Sequence, residues 1–234
     1  SIGHPKNLLI SFIYAVIPAG LIAIQPDFGS AIIIIGIWFG YILVSGIQWK
    51  HLLLIMSIAI FGFGALWMSP FFAEYQKERV LNLLNPDRDP LGYGYNVIQS
   101  KIAIGSAGIW GKGFGQGTQA QLGFLPEAHS DFIFAAFIEE WGLVGGILVI
   151  CAFLLILFQI MRIGLRADDN FTKLFCLGTS IVLLLHFILN VGSTIGLVPV
   201  VGVSFPFLSH GGSNFLLNAV LIGFIQSMRT HRYV

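Results

Sequence analysis

Long uncharged runs recur along this chain, separated by short polar connections and by one long polar interval. The runs are residues 8–24, 30–47, 52–68, 141–161, 174–197 and 213–228. A helix needs ~20 apolar residues to cross a bilayer, ~17 at the low end. The first five runs reach that length and the sixth is short for it. Helices are the form to expect, because isolated strands would leave backbone N–H and C=O groups unpaired in hydrocarbon. The pattern predicts an all-α polytopic membrane protein, six transmembrane helices in a single membrane domain covering residues 1–234.

Composition agrees. The chain is 56% hydrophobic and 10% charged, with a mean hydropathy of +0.85. A soluble domain carries about 25% charged residues. A net charge of +1 gives no electrostatic footprint for nucleic acid. Cys151 and Cys176 lie inside apolar runs and read as small packed hydrophobes, not as a disulfide or metal pair. The chain opens on Ser1 with no initiator Met and no signal-peptide pattern, so it is expected to be a piece of a longer protein, cut before an existing helix.

Charges beside the runs set an orientation. Lys6, Lys50, Arg162, Arg166, Lys173, Arg229 and Arg232 fall on one side, while connections 25–29 and 198–212 on the other side hold no Lys or Arg. The positive side is cytoplasmic by the usual bias, which places both ends of the chain inside. Lys77, Arg79, Arg88, Lys101 and Lys112 fall outside, in a connection too long to vote in that rule.

That connection, residues 69–130, is rich in aromatic and aliphatic side chains, which argues for a folded, functional loop. Residues 72–84 mix apolar positions with Glu74, Lys77, Glu78 and Arg79, predicting a helix lying in the headgroup region. The cluster Asn85-Pro86-Asp87-Arg88-Asp89-Pro90 ends it, and a second short helix is expected over 95–106. Glycine dominates from 105 to 123. A Walker loop is excluded, since Gly111-Lys112 is followed by Gly113 and Gly105 lies one place too far away, and no G-x-G-x-x-G fits. Two readings of the run stay open: a flexible turn-rich segment, or a backbone closing on a ligand and presenting amides to anionic oxygens.

Candidate chemistry gathers where the loop enters the next apolar run. Leu125-Pro126-Glu127-Ala128-His129-Ser130-Asp131-Phe132-Ile133-Phe134 carries three ionisable side chains, Glu127, His129 and Asp131. Ser130 or Asp131 could simply cap a helix, worth ~1 kcal/mol. One cap is enough, however, and Glu139-Glu140 follow in the same apolar segment, ~12 Å along a helix at about 1.5 Å per residue. Ionisable groups at that depth are partnered or functional. His186 and Asn190, four apart, share a helical face and read as interhelical hydrogen-bonding groups. Asp27 can cap the second run from an outer turn.

In combination these stretches resemble the SEDS family (shape, elongation, division and sporulation) of bacterial polytopic membrane proteins, which includes RodA, FtsW and SpoVE. The resemblance rests on Gln25-Pro26-Asp27-Phe28-Gly29, on Asp89-Pro90-Leu91-Gly92-Tyr93-Gly94-Tyr95-Asn96, and on Gln99-Ser100-Lys101-Ile102-Ala103-Ile104-Gly105-Ser106. It continues through Leu125–Ala135, Glu139-Glu140 and Gly142, then Asn190-Val191-Gly192, Gly196-Leu197-Val198-Pro199-Val200-Val201-Gly202, Pro206-Phe207 and Ser209-His210-Gly211-Gly212-Ser213. Gly117-Thr118-Gln119, Gln121-Leu122 and Phe124-Leu125-Pro126-Glu127 are closer to the elongation branch, RodA, than to the division branch, FtsW. Ser130 stands where Thr is usual, His210 where Tyr is usual and Ser193 where Met is usual, and Val203-Ser204-Phe205 replaces a Pro-containing run. Family members have ten spans, which implies that four N-terminal ones are missing here.

The resemblance implies a peptidoglycan glycosyltransferase that polymerises lipid II at the outer face of the bacterial cytoplasmic membrane, during elongation and shape maintenance. Asp131 would be its essential carboxylate, and a class B penicillin-binding protein, a transpeptidase of the elongation machinery, its partner. The chemistry fits. A sugar hydroxyl needs a base as it attacks the donor's anomeric carbon. The leaving undecaprenyl diphosphate needs cations or a divalent metal, Mg or Mn. Lys101, Lys112 and Arg79 are the candidate cations; Glu127, His129, Ser130 and Gln99 are further candidates for binding substrate. The alternative is a flippase for the lipid-linked precursor, with Glu139, Glu140 and His186 lining a polar path and Asp27 at its outer turn. A scaffold role for the loop and spans is compatible with either.

Overall fold

A computed structural model describes residues 5–25, 27–69, 74–85, 89, 91–92 and 94–231. Ser1, Pro26, Phe72, Pro86, Asp87, Arg88, Pro90, Tyr93 and Arg232, used in the sequence reading, lie outside the described residues. Among those described, every regular element is a helix: α1 (Pro5–Ile24), α2 (Phe28–Val44), α3 (Trp49–Met68), α4 (Glu74–Leu84), α5 (Tyr95–Ser106), α6 (Thr118–Gln121), α7 (Ile133–Arg166), α8 (Asn170–Ile195) and α9 (Gly212–His231). Four are long and apolar enough to cross a membrane, within Lys6–Ile24, Trp49–Met68, Ile133–Arg166 and Asn170–Ile195. The other two expected runs form α2, an apolar helix of 17 residues, and α9, whose apolar face is interrupted by Asn214, Asn218 and Gln226.

The chain divides into two compact units, Ser1–Asn85 and Pro86–Val234. In the first, α1 and α2 form a hairpin. Trp38 of α2 packs in a tilted ring contact at 5.0 Å against Phe12 and donates its indole N–H to Ser11 Oγ at 3.2 Å. Asp27 caps α2, accepting from Ser30 N at 3.0 Å and Ser30 Oγ at 2.6 Å. No side chain of α3 is buried, so its apolar surface suits a lipid solvent.

In the second unit α7 packs along α8, and α5 lies against both. The core joins Phe134, Ile138, Phe153, Leu157 and Ile160 of α7 to Cys176 and Leu183 of α8, and to Phe205 and Ile225. Phe205, in the α8–α9 loop, is gripped by Phe134, Phe153 and Phe187 at 5.8, 5.8 and 5.5 Å. This aromatic anchor folds the loop back over the start of α7. Both cysteines are unpaired, Cys176 buried and Cys151 exposed.

One departure from the sequence reading matters for the site. The helix expected from Trp141 begins at Ile133, and it breaks at Gly142, whose φ of 72° and ψ of −176° are non-helical. The glycine-rich segment takes up the backbone groups that the break releases. Lys112 N and Gly113 N donate to the carbonyls of Glu139 and Glu140 at 2.9 and 3.0 Å. Leu143 N and Val144 N donate to Gly108 O and Ile109 O at 3.1 and 3.2 Å. A helix broken inside an apolar segment survives only if neighbouring backbone satisfies it in this way.

Candidate active site

Glu139 is the most enclosed ionisable group in this region, with no accessible surface. Lys112 Nζ donates to its Oε1 at 2.6 Å, Thr118 Oγ1 donates to Oε1 at 3.1 Å, and the amides of Gln119 and Ala120 donate to Oε2 at 3.2 and 3.3 Å. Lys112 also donates to Thr118 Oγ1 at 2.8 Å. The glycine run therefore does present amides to anionic oxygens, but the anion is the protein's own. A side chain at 117 would crowd it, since a Cβ there would stand 2.9 Å from Glu139 Oε2. Glu140 Oε1 accepts from Gln121 Nε2 at 3.2 Å. The pair lies six and seven residues into α7, just before its break at Gly142, with the glycine-rich loop folded over it.

Below this latch the chain makes the turn that carries Asp131. Glu127 adopts a left-handed φ of 51°, unusual for a residue with a side chain. Its carbonyl accepts from Ser130 N and Phe132 N, both at 3.1 Å, and its Oε2 accepts from Ser130 Oγ at 2.7 Å. The helix cap falls on Phe132, one residue beyond Asp131. Leu125, Ala128 and Phe132 are buried under the turn against Ala103 of α5 and Ala135 and Ala136 of α7. Glu127 and His129 stay exposed, and Ser130 and Asp131 are half-buried.

Three successive carbonyls of this turn are tied to elements that follow later in the chain. His129 O accepts from His210 N at 2.8 Å, Ser130 O accepts from Ser209 Oγ at 2.7 Å, and Asp131 O accepts from Asn190 Nδ2 at 2.9 Å. Asn190 Nδ2 also donates to Val203 O at 2.9 Å. The Asp131 carboxylate lies beside Gly202, where a Cβ would stand 3.7 Å from Oδ2. Lys101 of α5 borders the same loop six residues earlier, since a Cβ at Gly196 would stand 2.7 Å from its Nζ. Gly196 ends α8 in the left-handed conformation, so Lys101 also meets the electronegative end of that helix.

The named candidates therefore separate. Asp131, Ser130, His129 and Glu127 share one turn, and Lys101 faces the loop that covers it. Gln99 is half-buried on α5. Lys112 is engaged by Glu139, which is not the role expected of it. Arg79 lies on α4 in the first unit, and Asp27 caps α2 there. His186 Nδ1 lies 2.8 Å from Val182 O of its own helix. Sequence reasoning missed Ser209, His210 and Gly202 as supports of the Asp131 turn. The resemblance included all three, but nothing local said what they touch. Among the described residues, no three His, Cys, Asp or Glu side chains converge to hold a metal ion.

Apolar helices, a broken helix satisfied by a loop, and a half-buried carboxylate at a helix entrance define a multi-pass helical membrane protein with a polar site at one end of its bundle. The FtsW/RodA/SpoVE family, described as cell cycle protein, matches residues 3–234, and the chain belongs to it, a bacterial multi-pass membrane family. It is 39% identical over 229 residues to the peptidoglycan glycosyltransferase MrdB of Escherichia coli (strain K12), covering 97% of this chain and 61% of that one. Stage V sporulation protein E of Bacillus subtilis (strain 168) is 36% identical over 214 residues, covering 91% and 57%. A solved structure, "Structural coordination of polymerization and crosslinking by a peptidoglycan synthase complex", matches with a TM-score of 0.79 and 31% identity, over 99% of this chain and 64% of that one. The chain thus spans about three-fifths of the length of the curated relatives it matches.

Proposed function

We propose that this chain carries the catalytic end of a peptidoglycan glycosyltransferase that lengthens glycan strands from lipid II, with Asp131 as general base. The Asp131 carboxylate takes the proton of the acceptor sugar hydroxyl as that oxygen bonds to the donor's anomeric carbon. The bond from that carbon to the undecaprenyl diphosphate oxygen breaks, and the diphosphate leaves with the electron pair. Lys101 is the cation best placed to meet the growing charge, since Lys112 is held by Glu139.

The observation that carries this reading is the tethering of the turn. Three consecutive carbonyls are fixed while the Asp131 side chain is left half-exposed beside a residue without a side chain. A base must be held in place before reaction to contribute fully. The left-handed Glu127 adds backbone strain, of the kind that collects at functional sites. The names of the relatives, which include peptidoglycan glycosyltransferases, support the same reaction class.

Orientation follows from charge. α7 runs 34 residues from the Asp131 turn to Arg166; at about 1.5 Å per residue this exceeds the ~30 Å hydrocarbon thickness. We place Arg162, Arg166 and Lys173 on the cytoplasmic side, and Asp131 on the outer side with the sugars of its substrate. α1, α2, α3, α7, α8 and α9 then make six spans. A transpeptidase partner is part of this proposal, suggested by the polymerising and crosslinking complex that the chain resembles.

The flippase alternative needs Glu139 open to a passage, and its burial among five hydrogen bonds speaks against that. Reconstituting the complete protein in vesicles with labelled lipid II decides between them. We expect polymer. Precursor that changes leaflet without polymerising would reject the transferase reading.

A further inference from the structure

At the opposite end of α7 from Asp131, a cavity of ≈ 440 Å³ opens between the ends of three helices. Gln159, Arg162, Ile163 and Arg166 line it from one face of α7, Thr172 from the first turn of α8, and Met228 and Arg229 from α9. The α7–α8 turn adds Asp168 and Asp169. The volume is that of a small-ligand pocket, which typically runs from about 300 Å³ upwards.

Its charges are unequally committed. Asp169 caps α8, accepting from Thr172 N at 2.6 Å. Arg166 and Asp168 have interactions within the chain. Arg162 and Arg229 are exposed, come from different helices, and take part in no ion pair among the described residues. Ile163, Ala167 and Met228 supply the apolar part of the lining, with Met228 Sδ accepting from Thr172 Oγ1 at 3.4 Å. Apolar side chains at the same level of α7 and α8 face outward: Leu165 is 81% exposed and Phe171 70%. Helix ends rich in arginine are common on the cytoplasmic side. A cavity between them, skirted by apolar surface, is a separate feature.

We propose that this cavity binds the phosphodiester headgroup of an anionic phospholipid in the inner leaflet, with Arg162 and Arg229 on the phosphate and the acyl chains against the exposed apolar flank. Two guanidiniums from different helices suit one tetrahedral anion. Lipid rather than free phosphate is indicated by the apolar surroundings, which an inorganic ion would not use. The occupant would bridge α7 and α9 at the end remote from the chemistry. The inference rests on the orientation proposed above.

The test uses the complete protein in detergent, titrated with dioctanoyl phosphatidylglycerol, dioctanoyl phosphatidylcholine or inorganic phosphate, with bound ligand read by native mass spectrometry. Phosphatidylglycerol should bind tightest, and Arg162→Gln/Arg229→Gln should weaken it by roughly thirtyfold, at about 1 kcal/mol per arginine. Equal binding of phosphatidylcholine, or unchanged binding by the double variant, would overturn the proposal. Inorganic phosphate binding as tightly as the lipid would overturn the lipid assignment. If the double variant does not fold, the preference of the native sequence for phosphatidylglycerol over phosphatidylcholine still decides. Orientation is tested separately by Asp168→Cys in a chain lacking Cys151 and Cys176. Labelling from outside the cell would reject the orientation without touching the binding result.

Discussion

At the scale of single residues, two carboxylates show how far hydrogen bonding governs this protein. Glu139 is sealed among Lys112, Thr118 and the amides of Gln119 and Ala120. Glu139→Ala strips the partner from the partly exposed Lys112 and leaves the Thr118 hydroxyl and two amides without their acceptor, so it should destabilise the second unit by about 1–3 kcal/mol. Glu139→Gln, which keeps an acceptor, should cost less. Unfolding midpoints of the purified variants check both, and an unshifted midpoint for Glu139→Ala would show that the latch contributes little. Asp169 differs in being exposed. The hydrogen bond from the Thr172 backbone N–H holds its carboxyl below the usual carboxylate range. A folded-state value below the unfolded one stabilises at pH above the unfolded value, and that contribution is lost as pH falls through the depressed folded value. Acid unfolding curves of Asp169→Asn and the native sequence should therefore differ at neutral pH and converge at low pH.

At the scale of elements, the break in α7 is the feature with the sharpest consequence. At Gly142 the positive φ is disfavoured for any side chain, and a Cβ would meet Ile109 O at 2.2 Å and Gly111 N at 2.4 Å. Backbone atoms cannot swing aside, so Gly142→Ala should cost about 3 kcal/mol or more from strain and overlap together. Gly142→Ala that folds with an unchanged midpoint would mean the helix can run straight through. This break was illegible in the sequence. Trp141-Gly142-Leu143-Val144-Gly145-Gly146 is apolar throughout, and its two later glycines stay helical. The partners that make the break stable lie in residues 108–113, where only glycine density was visible. The helix over 95–106, by contrast, was readable to its ends, because punctuating residues precede it and glycines follow. Asn190 stood out by its spacing from His186. Its partners, Asp131 O and Val203 O, were beyond reach because no local pattern encodes contacts so distant in sequence. Asn190→Leu leaves two inward carbonyls without their donor, at about 1–3 kcal/mol each. It should lower polymerising activity beyond the loss of folded protein, since the Asp131 turn is released. Full activity per folded molecule would contradict that positioning role.

At the scale of the whole molecule, the second unit joins two ends of distinct chemistry through one long helix. The Asp131 end is built from a tethered turn, a covering loop and Lys101; the other end from arginines around a cavity. Hydropathy was enough to find the long apolar helices, because they obey the bilayer as a solvent, and charge bias carries the proposed sidedness. The family resemblance pointed to Asp131, and what the residues alone could supply was the reason a carboxylate is useful there. The most direct test of the central claim is polymerisation of lipid II by the complete protein carrying Asp131→Asn, normalised to folded protein by its unfolding midpoint. Loss of a general base should lower the rate by roughly 10² to 10⁴ with folding intact. Glycan strands made at the native rate by that variant would contradict the account.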